Sequence, residues 1–321
     1  MAALDRGNRF AVGAVLLGLV ALLVWPLVYG APFLIHIAIL VLLYSIGAAS
    51  LHLILRMGHI SLAHAAFLGL GGYASALLTT KLGVPFPIAF VASGLLPAAV
   101  ALVFGPILLR LKGVYFVLMT FTFGEVVRLI FVEWQGLTGG SDGIYRIPPP
   151  HPVLLSRFVF YYFALGMAVV CVGAVASMLM SPIGRTIDSI RESDQLAQSS
   201  GVPVLRFKVM IFAIACGVVG LQGSLLAHYI RYISPSAYTF NESLMFIIMN
   251  VIGGMNHLAG ALVGAVFMTA LPELLRGWVE YQRILYGVTL VLIMLYIPGG
   301  LIDIGRRVLP RLRRRVGEGA T

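Results

Sequence analysis

The chain has 321 residues, 60% of them hydrophobic and only 11% charged, with a formal net charge of +10. A soluble domain carries about 25% charged residues, so this composition cannot cover a water-facing surface. Disorder, a disulfide scaffold and a soluble nucleic-acid binder are excluded together, the last because the basic residues sit in short joints and a tail rather than on one folded face.

A helix that crosses a bilayer needs about 20 apolar residues at 1.5 Å rise to span roughly 30 Å of hydrocarbon. Apolar windows between polar joints predict ten such helices in order, at about 10–29, 32–55, 60–80, 85–109, 113–132, 158–180, 208–229, 240–254, 258–275 and 284–302. The first window is longer than a signal-peptide core and ends without a small-x-small cleavage pattern, so it reads as a retained helix of a mature chain. The third and eighth are rich in glycine, and each either spans or is broken or re-entrant, which a membrane tolerates where the backbone is buried in protein or lines a wet cavity.

Lysine and arginine set the orientation. With the N-terminus inside, the inner joints hold Arg6, Arg9, Arg56, Arg110, Lys112, Arg185, Arg191, Arg206 and Lys208, and the tail adds six arginines from Arg306 to Arg315. The outer joints hold Lys81, Arg146, Arg157, Arg231, Arg276 and Arg283. That asymmetry predicts both termini on the cytoplasmic side, with Arg311 to Arg315 anchoring at the anionic inner leaflet. The expected fold is all-α and integral to the membrane, a single domain over 1–321. Its halves of five helices, about 10–132 and 158–302, are inverted relative to each other because five is odd, an arrangement that places a transport path at their interface. An external loop, 133–157, joins them, and a basic cytoplasmic tail, 303–321, follows.

The cytoplasmic loop 181–207 is amphipathic. Ser181-Pro182 starts a helix as cap and first-turn proline. Ile187, Ile190, Ala197 and Gly201 recur on one face, with Arg191, Glu192, Gln195 and Gln198 mostly on the other, which predicts a surface helix over 185–200.

Other patterns resolve into packing. Gly69, Gly71 and Ala74 fit a dinucleotide fingerprint, but no strand precedes them and the next acid is Glu125. Gly69 and Gly71, Gly217 and Gly220, and the Gly260/Gly264 pair read instead as smooth faces for close helix contact. No phosphate-binding Gly-Lys loop occurs, so the chain carries no ATP site of that kind. Ser61 and His64 lack a neighbouring acid and read as a polar pair at a helix contact, His59 and His64 do not share a face for a metal, and Cys171 and Cys216 have no ligand spacing. Within the apolar windows ionisable residues are few, Glu125, Arg128 and Glu242 among them. Glu125 and Arg128, three apart, read as an ion pair ahead of a substrate site. Ion-driven carriers need unpaired mid-membrane acids, so the scarcity of acids favours an external source of energy over an ion-coupled secondary transporter. Ser61, His64, Thr120, Thr122, Glu125 and Glu242 are the candidate lining of the path.

Gly58, Ser61, His64-Ala65-Ala66-Phe67, Gly69, Gly71 and Tyr73 together resemble the opening signature of the branched-chain amino acid ABC importer permeases. Thr138-Gly139-Gly140-Ser141-Asp142-Gly143 resembles the external loop of the M-type subunit. Arg191-Glu192-Ser193-Asp194 through Gly201, with Lys208, Phe212, Gly220 and Gly223, resembles the segment that docks on the ATPase, and Gly253-Gly254, Gly260, Gly264-Ala265, Tyr286-Gly287 and Pro298 to Leu301 the closing signatures. Ala63, Gly72 and Asn256-His257 depart from the usual pattern. The resemblance implies a transport subunit that is not itself an enzyme and needs no cofactor or nucleic acid, in the bacterial inner membrane. It implies a second homologous permease, two cytoplasmic ATPases, an external solute-binding protein and a branched-chain amino acid, or a related solute such as urea, as cargo. Ile187, Ile190 and Ala197 would then sit in a groove of the ATPase beside Arg191 and Gly201, with Glu192 and Asp194 at its rim.

Overall fold

The fold is seen in a computed structural model that describes residues 30–274 continuously, together with 18, 20–26 and scattered positions from 281 to 303. The helices are α1 (Pro32–Arg56), α2 (His64–Thr80), α3 (Phe86–Leu108), α4 (Val114–Glu133), α5 (Arg157–Met180), α6 (Pro182–Glu192), α7 (Asp194–Ser199), α8 (Val204–Ile230), α9 (Phe240–Gly253) and α10 (Leu258–Leu274). Proline in the first turn starts α1, α3 and α6, where its missing N–H has no intrahelical partner to lose.

Among the described residues, α1, α3, α4, α5 and α8 are long and apolar enough to cross a membrane, and α9 with α10 makes a sixth candidate only as a span bent by 118°. The expected windows 10–29 and 284–302 and the tail lie largely outside the described residues. The third window shortens to the 17 residues of α2, and its start, 60–63, runs without helical structure beneath α4. The eighth and ninth are the two arms of the bent pair. The corner has a local cause: Gly254 takes φ +119°, a backbone region closed to side-chain-bearing residues, while its N–H closes α9 on the Asn250 carbonyl.

α1 and α8 are the axis of the bundle, with Ile39, Leu43, Ile46, Ile211, Phe212 and Val219 fully buried. α8 lies against α2 and α3 at backbone distance. A methyl on Gly71 would overlap the Gly220 backbone, and one on Gly223 the Leu68 carbonyl. On the other side of α8 the Ser93 carbonyl, which Pro97 has no N–H to bond, faces Gly220, where an added methyl would overlap it. Gly217 meets Gly94 of α3, where an added Cβ would stand 3.1 Å from the Gly94 carbonyl oxygen. Gly264 and Gly260 of α10 press on Met249, Gly253 and Gly254, and Gly69 is covered by Phe131 and Tyr238. Lipid tails are as apolar as leucine, so close van der Waals contact of this kind, rather than hydrophobic transfer, holds such helices together.

A small folded cap closes the end of the bundle where α4 stops and α8 ends. Strand β1 (Ile144–Tyr145) pairs antiparallel with β2 (Tyr232–Ile233), and Tyr145 stacks on Tyr232 at 4.5 Å. Thr138 donates its hydroxyl to the Phe131 carbonyl at 2.6 Å, turning the chain back over α4. His228 is fixed by two bonds, Nδ1 to the Pro148 carbonyl at 2.7 Å and Nε2 to the Ser75 hydroxyl at 2.9 Å. The carbonyl can only accept, so Nδ1 carries the proton and Nε2 accepts from Ser75.

Candidate functional site

At the opposite end, loop 181–207 is not one helix. Ser181 caps α6 by accepting from the Ile183 N–H at 3.2 Å, and Ser193, in extended backbone, accepts from the Leu196 N–H at 3.3 Å to start α7. A serine hydroxyl that bonds a backbone N–H offers an alternative to the helical ladder, and it breaks the expected 185–200 helix at residue 193. The apolar stripe is also assigned elsewhere. Ile187 is wholly buried in the main core, and Ile190 and Ala197, at 3% and 4% exposed, pack with Val204 in a small cluster of their own. The expectation that these three side chains enter a groove on a partner is therefore corrected: they fasten the loop to its own bundle. Leu196, at 69% exposed, points outward instead, with Arg191, Glu192 and Gly201 exposed around it.

Two carboxylates, in three ion pairs, hold the loop down. Arg56, at the end of α1, bonds Asp188 of α6 through both carboxylate oxygens, at 2.7 and 2.8 Å. Asp194, the first residue of α7, lies 2.8 Å from Lys208 of α8 and 3.0 Å from Lys112 of the α3–α4 joint. Burial alone would raise the Asp194 carboxyl, but the hydrogen bonds and charges of Lys208 and Lys112 outweigh it and hold the group below the usual carboxylate value. Asp194 thus faces the bundle rather than a rim. His59, in the α1–α2 joint, lies in the same crevice as Asp194 and Lys208. Its ring meets Phe116 edge-on at 4.9 Å, and burial followed by the Lys208 charge keeps its imidazole below the ordinary pKa. Arg56, Lys112 and Asp188 were not singled out as coupling residues from sequence. The available signal was charge placed in inner joints of a chain that has little charge elsewhere.

The candidate path residues divide. Ser61, His64 and Thr120 are wholly buried ties between elements. His64 Nε2 meets the Ser50 hydroxyl at 2.8 Å and the Gly47 carbonyl at 3.2 Å, whereas the Ser61 hydroxyl accepts from the Ala63 N–H at 3.4 Å. The expected Ser61–His64 pair is not formed, because Ser50 of α1 is the nearer partner. Thr120 Oγ1 accepts from the Leu62 N–H at 3.1 Å and so pins the α2 approach to α4. Thr122 is exposed on α4 and bonds the Leu118 carbonyl of its own helix. Glu125 and Arg128 form an ion pair at 2.8 Å, both partly exposed. Glu125 lines a narrow crevice with Ala66, Thr239 and Ser243, where the start of α9 crosses α2 and α4. Glu242 lies beside it, with one carboxylate oxygen buried without a hydrogen-bond partner while Tyr44 bonds the carboxyl group. Of the six, the structure therefore brings Glu125 to the crevice wall, and among the described residues no three side chains are placed to hold a metal.

Residues 33–294, which include the bundle, the crevice and the loop, match a family described as the permease component of the branched-chain amino acid transport system. The chain belongs to this family. The high-affinity branched-chain amino acid transport permease LivM of Escherichia coli K12 is 30% identical, over 93% of this chain and 77% of its own length. LivM of Salmonella typhimurium is 29% identical, over 94% and 76%. The ribose import permease RbsC of Bacillus subtilis is 24% identical, over 56% of the chain and 57% of its own length. No solved structure matches the chain significantly. Membership in a permease family, with five or six apolar helices long enough to span among the described residues, makes this a multi-pass membrane protein.

Proposed function

We propose that this chain is one of two transmembrane subunits of an ATP-driven importer of branched-chain amino acids, driven through loop 181–207 by two cytoplasmic ATPases and supplied by an external binding protein. The likeness to LivM supports the cargo. The loop carries the mechanism. Its apolar residues and its ion pairs bind it to α1, α8 and the α3–α4 joint, so a force on its outer face moves the bundle rather than bending a free segment. ATP shifts a two-state permease only by binding one access state better, and a rigidly fixed loop is how that difference would reach the membrane.

The finer architecture belongs to the same proposal: ten spans in two inverted halves, 10–132 and 158–302, with the ends of the chain in the cytoplasm of the inner membrane. The short α2 and the bent α9–α10 pair then occupy comparable positions in the two halves. α4, whose Leu118, Val126 and Leu129 are exposed, faces the second permease, with Glu125 beside a passage of weak, replaceable polar contacts. A partly exposed ion pair is costly against lipid, so this face is better matched by protein and water.

Leu196→Arg tests the reading. The side chain is outward, so the bundle folds as before, while ATP-driven uptake into vesicles holding the complete transporter falls at least tenfold. Unchanged uptake removes the loop from coupling, and accumulation by this chain alone under an ion gradient replaces the importer with a secondary carrier.

A further inference from the structure

At the end of the bundle away from loop 181–207, α1 and α5 begin and α8 ends around a second, unrelated pocket lined by His36, Arg157, Tyr229 and Arg231, with Leu155 and Ile230 at its edge. Its cationic side is built, not incidental. Arg231 sits in left-handed backbone, φ +62°, and its Nε donates to the Ile147 carbonyl at 3.2 Å, which fixes the guanidinium at the mouth. His36 Nδ1 meets the Tyr229 hydroxyl at 2.6 Å and the two rings stack, making a firm floor. Arg157 is the first residue of α5, and the Ser156 side chain does not cap that helix. A cation at the positive end of a helix dipole is unfavourable by itself, and an anion placed there offsets both the charge and the open N–H groups. Among the described residues no carboxylate lines the pocket.

The rim is apolar: Leu155 is 60% and Ile230 52% exposed, where the spanning helices stop. We propose that this pocket is a phospholipid site, in which Arg157 and Arg231 hold the phosphate of an anionic headgroup and the acyl chains lie along Leu155 and Ile230. The helix ends place the pocket at headgroup depth, and a phosphate carried on acyl chains satisfies the two guanidiniums and the apolar rim together. A free anion would leave Leu155 and Ile230 facing water.

The test is native mass spectrometry of the full-length protein purified with its partner subunits, titrated with dioleoylphosphatidylglycerol, with dioleoylglycerol and with inorganic phosphate. The wild type should retain one more phosphatidylglycerol than R157Q/R231Q, whose affinity for it falls about tenfold, while R157K/R231K recovers part of the loss. Dioleoylglycerol should not compete, and millimolar phosphate should not displace the lipid. An unaltered unfolding temperature of R157Q/R231Q in lipid-free detergent separates a lost site from a lost fold, and R157Q alone, at an exposed position, gives the same readout if the double variant unfolds. Equal lipid retention in the variants, displacement by phosphate, or retention of dioleoylglycerol at the same level overturns the proposal. So does a variant that keeps its lipid but loses a soluble partner protein, which would make the pocket a docking point for a carboxylate.

Discussion

Glu125 and Arg128 stand one turn apart on α4, bonded at 2.8 Å, with side chains 30% and 27% exposed. Neither charge is comfortable alone on an apolar helix: insertion of one costs about 2.5–3.5 kcal/mol at mid-membrane, and partial exposure lowers that figure here. Removing one member leaves the other uncompensated, whereas removing both leaves an ordinary apolar face. Glu125→Ala and Arg128→Ala should therefore each destabilise the purified protein by about 1–2 kcal/mol, and the double variant by less than either. Thermal unfolding of the four proteins completes the cycle, and additive losses would show that the pair is two independent contacts. The same logic separates His64 from Ser61. A buried imidazole needs a partner within reach, and Ser50 on α1 provides it although it lies 14 residues away in the chain.

The element to which coupling is proposed to fall is the α6–α7 pair, and its hold on the bundle depends on pH with a definite sign. The folded pKa of Asp194 lies below its unfolded value of about 3.9, so its contribution is complete at neutral pH and disappears as the pH falls through the folded value. Asp194→Asn removes that contribution at every pH and leaves the Lys208 ammonium, 4% exposed, without its nearest carboxylate. The loop should then detach about 1–3 kcal/mol more easily, read as faster protease cleavage within 193–201 at pH 7, while wild-type cleavage accelerates only in acid. Equal cleavage at pH 7 would mean that Ile187, Ile190, Ala197 and the Arg56–Asp188 pair hold the loop without Asp194. This element was half legible in the sequence. Ser181-Pro182 marked the start and the apolar spacing marked one apolar face, because both are local. The identity of what that face touches was not local. Arg56 and Asp188 are 132 residues apart, and nothing in either neighbourhood names the other. The break at Ser193 was equally hidden, since a serine in a helical pattern becomes a cap only when its own backbone turns extended. The glycine faces were readable as smooth surfaces, but which surface meets which, Gly71 on Gly220 and Gly264 on Met249, is decided by the bundle.

For the whole molecule the remaining question is which end faces the fuel. α5 is one uninterrupted apolar helix between the β1–β2 cap and loop 181–207, long enough to cross, so the proposed topology puts the cap and the loop on opposite sides of the membrane whatever the total number of spans. The cap joins the end of α4 to the end of α8, and this agrees with both helices emerging on one side. The loop end gathers Arg56, Lys112, Arg185, Arg191, Arg206 and Lys208, the excess of basic residues near span ends that the proposed cytoplasmic placement of the loop expects. Coupling to cytoplasmic ATPases requires the same orientation, so one labelling experiment bears on both. With the buried Cys171 and Cys216 replaced, cysteines at the exposed positions Ser141, in the cap, and Ser199, in α7, report the two ends. In intact cells an impermeant maleimide should label Ser141→Cys and leave Ser199→Cys untouched until the membrane is opened. The reverse pattern would put the loop out of reach of ATP and end its role in coupling, and labelling of both from outside would mean that α5 does not cross.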